Sequence, residues 1–317
     1  MELVNLIAPV FAVILTGYAF SWTGLLGKDT SEALVQFAVY VLIPAIMFYL
    51  IGQEEFANLL NTGFYIAYGG TLVLLFGLLF FGFQSVLKMQ VGSATVAAFA
   101  AVASNTALVA LPVLHAIFGS KGALPAVLAN LVVATLLLIF TTILESTSAK
   151  DGQQKTPIYQ IFLNVLKNPI IAATLLGVAY SFTGLGFSSA VGDYLELLSQ
   201  ALAAVALFAI GFTTSVRTIV QTGPLILFLS LTKLIVAPGL VLLAAHVVGL
   251  DPLWTIAAVV SSAVPTAKNI FLLAKHYDQE PVLAAHTVSA TSFLSIGTLI
   301  MWLFLLHHIY PTAFQLN

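Results

Sequence analysis

Pro9-Val10-Phe11-Ala12-Val13-Ile14-Leu15-Thr16-Gly17-Tyr18-Ala19-Phe20-Ser21-Trp22-Thr23-Gly24-Leu25 returns 160 residues later as Pro169-Ile170-Ile171-Ala172-Ala173-Thr174-Leu175-Leu176-Gly177-Val178-Ala179-Tyr180-Ser181-Phe182-Thr183-Gly184-Leu185. Apolar segments imitate one another easily, but Pro, Gly, Ser and Thr in register are harder to obtain that way. The same offset pairs Thr62-Gly63 with Thr222-Gly223 and Thr106-Ala107 with Thr266-Ala267. The chain therefore reads as two copies of one unit.

Each copy opens on a run with too little polarity for a soluble core. Of 317 residues 60% are hydrophobic and 7% charged, against about a quarter charged in soluble domains. A bilayer is the solvent that fits. A span needs about 20 mainly apolar residues, and ten runs qualify. They are Leu3 to Trp22, Leu34 to Ile51, Phe64 to Leu87, Ser93 to Phe118, Ala123 to Leu144, Ile158 to Phe182, Leu195 to Val216, Gly223 to Val248, Leu253 to Tyr277 and Val282 to His307. Backbone groups in lipid must be satisfied within the segment, so the runs read as helices. The predicted fold is all-α and integral to the membrane, with ten transmembrane helices in two five-helix repeats. Residues 1–144 form the first repeat, 145–157 a cytoplasmic linker and 158–317 the second repeat. Five is odd, so the second copy enters from the opposite side and the repeat is inverted, an arrangement typical of alternating-access carriers.

Orientation follows from Lys and Arg, which concentrate in cytoplasmic loops. Lys28, Lys88, Lys150, Lys155, Lys167, Arg217 and Lys275 fall on one side, and Lys121 alone on the other. Both termini are expected outside the cytoplasm. The first run lacks a basic leader and a cleavage site, so it reads as a retained helix.

The formal charge of -2 provides no basic surface for a nucleic-acid backbone. Cysteine is absent, which removes thiolate nucleophiles and Cys-ligated metals. No phosphate-binding Gly-rich loop, hydrolytic triad or metal-ligand cluster is present, so no enzyme activity and no cofactor are expected.

Two runs do carry chemistry. The fourth contains Ser104-Asn105-Thr106 followed by Pro112, and the ninth contains Ser261-Ser262-Ala263-Val264-Pro265-Thr266-Ala267-Lys268-Asn269. Pro112 and Pro265 are expected to break their helices. The freed carbonyls and half-helix N-termini then become ligands, the N-termini favouring an anion. A proline kink with local Ser and Thr bonding would explain one such helix; two at repeat-equivalent positions point to a site. Lys268 either faces a cavity or extends toward the cytoplasmic end of its helix, because an intramembrane Lys costs about 2.5 to 3.5 kcal/mol on insertion scales. Lys233, deep in the eighth run, is placed to support the broken helices. Asn105 and Asn269 donate and accept, which suits a carboxylate, or else they join helices. No Asp or Glu lies mid-run in the third, fourth, eighth or ninth segments, which speaks against a cation or proton path built on carboxylates. His115, His246 and His286 remain as candidates for a coupling role, or else as bonded packing residues.

Taken in order and spacing, several motifs resemble the auxin efflux carrier family. They are Asn105-Thr106 with Pro112 and Phe118-Gly119, Pro265 with Ala274-Lys275-His276-Tyr277, Lys233 five residues before Pro238, Phe208 three before Gly211, Asn168-Pro169, and Pro44. The resemblance covers almost the whole chain, and the short loop after Leu144 looks like the bacterial branch, whose members resemble malonate and malate transporters. It implies that the broken fourth and ninth helices cross at mid-membrane. It implies further that the first, second, sixth and seventh helices form a scaffold, often a homodimer, while the others move. Asn105 matches a substrate-contacting position and Asn168 a weaker one. Lys268 departs from the plant pattern, where that position is apolar, and so favours a small, highly charged acid over an aromatic auxin.

The combined expectation is a secondary active transporter of a small organic acid anion, malonate-like or malate-like, of elevator type, in the plasma membrane of a bacterium. Asn105, Thr106, Thr266, Lys268, Asn269 and Asn168 would bind the substrate, with H+ or Na+ as a coupling ion. The alternatives are an ion-coupled carrier or antiporter of another substrate, and a membrane receptor or scaffold that transports nothing.

Overall fold

The computed structural model describes residues 2–147, 166–213 and 223–315. The linker expected at 145–157, beyond its first residues, lies outside the described residues, as do Arg217 and the first residues of the sixth run. Described secondary structure is helical apart from one isolated β-bridge. The elements are α1 (Glu2–Thr23), α2 (Asp29–Gly52), α3 (Thr62–Ser85), α4 (Val91–Val102), α5 (Thr106–Thr147), α6 (Pro169–Ser181), α7 (Ser189–Thr213), α8 (Pro224–Val247), α9 (Pro252–Ala263), α10 (Asn269–His276) and α11 (Pro281–Ile309). Among the described residues seven helices are long and apolar enough to cross a membrane, and α4, α6 and α9 are shorter apolar helices. The fold is all-α and multi-pass. α5 joins two of the runs seen in the sequence, but Gly119 at φ 61, ψ -152 leaves helical geometry between them.

Proline shapes three of these helices without ending them. Of the four π-helical turns among the described residues, Ala38–Leu42, Thr106–Ala110 and Thr232–Val236 each end two residues before a proline, Pro44, Pro112 and Pro238, while Tyr65–Gly70 does not. A proline lacks its N–H and crowds the carbonyl four residues back, and a π turn relieves that crowding. For Pro238 that carbonyl is Leu234, and it accepts the indole N–H of Trp302 at 2.8 Å. Trp302→Phe would leave a buried acceptor without this donor. It should lower stability by about 1 to 3 kcal/mol, read as a lowered midpoint of thermal unfolding in detergent.

Packing sorts the helices into two groups. α1 lies along α7, and α6 lies along α2. At the first contact Gly17 faces the Phe208 carbonyl and Gly211 faces the Ile14 carbonyl, so close that a Cβ would fall 2.1 Å and 1.9 Å from those oxygens. The second group comprises α3, α4, α5, α8, α9, α10 and α11, with α3 on α4, α9 on both α8 and α5, and α11 against α8, α9 and α10. The repeated Thr-Gly-Leu motif also folds alike in its two places. Gly24 and Gly184 have φ 69 and 64. Thr23 Oγ1 accepts from Leu25 N at 3.3 Å, and Thr183 Oγ1 from Leu185 N at 3.2 Å.

Candidate functional site

The two polar stretches open as extended backbone and meet. Val264 precedes Pro265 and is therefore driven out of the helical region; its ψ is 159, and α9 stops before it. α4 stops at Val102, and Ala103 is extended with ψ 123. Ser104 and Thr266 form an antiparallel bridge. Asn105 N donates to the Pro265 carbonyl at 2.9 Å and Ala267 N to the Ala103 carbonyl at 3.1 Å. Each break thus supplies the hydrogen bonds that the other lost, which buried backbone requires. The opening in the first stretch lies upstream of Pro112, which sits in the first turn of the helical run Leu111–Thr147. The expectation that Pro112 breaks the helix is corrected: its effect is absorbed by the π turn Thr106–Ala110.

Side chains secure the remaining ends. Thr266 Oγ1 donates to the Ala100 carbonyl at 2.7 Å, and Thr266 N donates to Thr291 Oγ1 of α11 at 3.1 Å. Thr106 Oγ1 donates to Asn130 Oδ1 of α5 at 2.9 Å. The two threonines are both buried; Thr106 is tied to a later part of α5 and Thr266 to α11. They act as fasteners, with little surface left for a ligand. Lys233 is fully buried on α8; its Nζ lies 2.8 Å from Ser104 Oγ and donates to the Ser262 carbonyl. The Tyr68 hydroxyl of α3 donates to the Ser261 carbonyl at 3.5 Å. Lys233 therefore holds both breaks at once.

Three of the expected residues stay open. Asn105 is half-buried at the N-terminus of α5, and Lys268 and Asn269 are exposed at the N-terminus of α10. None of these three side chains hydrogen-bonds another described residue. Two helix N-termini, each with partial positive charge, thus flank the crossing together with two free carboxamides and an ammonium, a donor set that suits an anion. Asn168 is placed elsewhere. Its Oδ1 accepts from Ile170 N at 3.0 Å and caps α6 ahead of Pro169, the usual use of Asn before a proline-led first turn. The role visible for Asn168 among the described residues is this cap. Tyr68, Asn130 and Thr291 were not singled out in the sequence. A lone Asn in the apolar stretch 127–138 of α5 was the signal available for Asn130.

A separate cavity of about 470 Å³ opens beside the start of α9, lined by Glu54, Ala57, Asn61, Lys121, Leu124, Leu253 and Trp254. Among the described residues no group of three or more His, Cys, Asp or Glu could hold a metal ion.

Comparison with known proteins gives the chain's relatives. The sequence pattern of the family described as "Membrane transport protein" matches residues 3–303. A Rhizobium meliloti protein provisionally named a malonate transporter is 28% identical, over 96% of both chains. An uncharacterized transporter of Methanothermobacter thermautotrophicus is 22% identical, over 93% of this chain and 96% of its own. An uncharacterized transporter of Escherichia coli is 23% identical, over 92% and 91%.

Proposed function

We propose, for a chain that belongs to the membrane transport protein family, that it is a secondary carrier of a small organic acid anion, malonate-like or malate-like. The anion is bound at the crossing by Asn105, Lys268 and Asn269. The observation that carries this reading is the bridge of Ser104 to Thr266 with those three side chains left open beside it. The provisional name of the Rhizobium meliloti relative supports the substrate class.

Ten spans follow if α4 with the first part of α5 is one, the part of α5 after Gly119 the next, and α9 with α10 another. Two inverted halves, 1–144 and 158–317, are supported by reciprocal packing, α1 on α7 and α6 on α2, and by the Thr-Gly-Leu turns that fold alike. In this reading α1, α2, α6 and α7 stay fixed, pair with a second copy, and let the crossing group slide past. A negative-inside potential favours anion exit by about 2.3 kcal/mol per charge per 100 mV, so uptake requires a coupled cation.

Purified protein in liposomes should exchange labelled malonate for internal dicarboxylate. Lys268→Ala should weaken apparent affinity about tenfold, the scale of one charge-assisted hydrogen bond. Unchanged affinity would remove Lys268 from the site. Absence of exchange with any carboxylate would overturn the carrier reading.

A further inference from the structure

Lys233 has a role beyond holding the breaks together. An ammonium has three N–H donors, and this one has two partners, Ser104 Oγ and the Ser262 carbonyl. The side chain is fully buried, and a buried cation without an opposite charge is strongly unfavourable. The elements packed against the turn Thr232–Val236 are the flanking parts of α8, together with α4, α9 and α11. They carry no Asp or Glu. Their titratable residues are His246 on α8 and His286, His307 and His308 on α11, and none of these bonds Lys233. Tyr68 of α3 donates to the Ser261 carbonyl next to Ser262, and Lys268 lies past the break that ends α9.

The same contacts suit a neutral amine without burying an unpaired charge. One N–H donates to the Ser262 carbonyl and the lone pair accepts the Ser104 hydroxyl, whereas on protonation Nζ donates to both Ser104 Oγ and the Ser262 carbonyl. Two buried hydroxyls have no partner among the described residues, Ser230 one turn before Lys233 and Ser261 beside Ser262. The missing element is negative charge, and an anion beside Asn105, the residue after Ser104, supplies it.

We propose that Lys233 is the proton-carrying group of this carrier, neutral when the crossing is empty and protonated when a carboxylate is bound, so that anion and proton move together. The step is the addition of one solvent proton to the amine, with no bond to the substrate made or broken. This inference rests on the carrier reading above. It also supplies, without an acidic residue, a coupled cation that offsets one of the two charges of the dianion.

Calorimetry of malonate binding to the wild-type protein tests it, in two buffers of different ionisation enthalpy, above about pH 7 where both malonate carboxylates are ionised. The observed heat should depend on the buffer, with the sign of proton uptake. Affinity should weaken as pH rises, by up to about tenfold per unit. Lys233→Met should lose both dependences while Lys268→Ala keeps them. In wild-type liposomes, malonate entry should make the external medium more alkaline, a readout that needs no variant. Buffer-independent heat together with pH-independent affinity would overturn the inference, as would undiminished proton uptake in Lys233→Met. Absence of carboxylate binding altogether would instead overturn the carrier reading, and this inference with it.

Discussion

Gly211→Val is expected to prevent accumulation of folded protein. A Cβ at this position would lie 1.9 Å from the Ile14 carbonyl oxygen, and one at Gly17 would lie 2.1 Å from that of Phe208. Both obstacles are backbone, so no rotamer change relieves them and α1 must separate from α7. Helices in lipid associate through close packing of small residues, not by expelling water, so separation forfeits most of what joins the pair. The destabilisation should reach or exceed about 3 kcal/mol, the upper range for overpacking. Gly77→Ala on α3 is the control, because its Cβ would meet nothing within 4 Å. It should be neutral or stabilising by up to about 1 kcal/mol through helix propensity. Size-exclusion profiles of the two variants in detergent, with thermal midpoints, separate the outcomes.

Asn105→Ala should lower carboxylate affinity about ten- to hundredfold while leaving thermal stability near wild type. A hydrogen bond to a charged group contributes about 1.5 to 3 kcal/mol, and the Asn105 carboxamide bonds no other described side chain or backbone group. What holds the residue in place is its backbone, through Asn105 N to the Pro265 carbonyl at 2.9 Å, and alanine keeps that bond. Thr106→Ala should behave in the opposite way. It removes the donor to Asn130 and so should lower stability by about 1 kcal/mol before it affects affinity. Equilibrium binding and thermal unfolding on the same preparations distinguish a ligand from a fastener.

The membrane class and the break in the ninth run were legible because each has a local cause: apolar runs of span length, and a proline that forces the residue before it to extend. The break at Ala103 to Asn105 was not, because nothing local opens the helix there. Its cause is the other break, more than 150 residues away in sequence. Attention fell on Pro112, whose constraint a π turn takes up instead. The site residues divide along the same line. Residue type alone marked Asn105, Lys233, Lys268 and Asn269 as costly in lipid. Whether each is used for structure or left open depends on partners, and only the packed chain shows that Thr106 and Thr266 are bonded inward while Asn105 is not. The cap made by Asn168 was legible as Asn directly before Pro169.

The crossing as an anion site is tested most directly by a single thiol, which the chain accepts cleanly because it has no cysteine of its own. Asn105→Cys in liposomes is labelled with a maleimide in the presence of malonate or of its uncharged diamide. Concentrations are raised in step with the weakened affinity. Malonate should slow labelling in a saturable way, with half-protection at the concentration that half-saturates exchange in the same vesicles, and the diamide should not. Vesicles that exchange malonate while the introduced thiol reacts at one unchanged rate would contradict an anion site at the crossing.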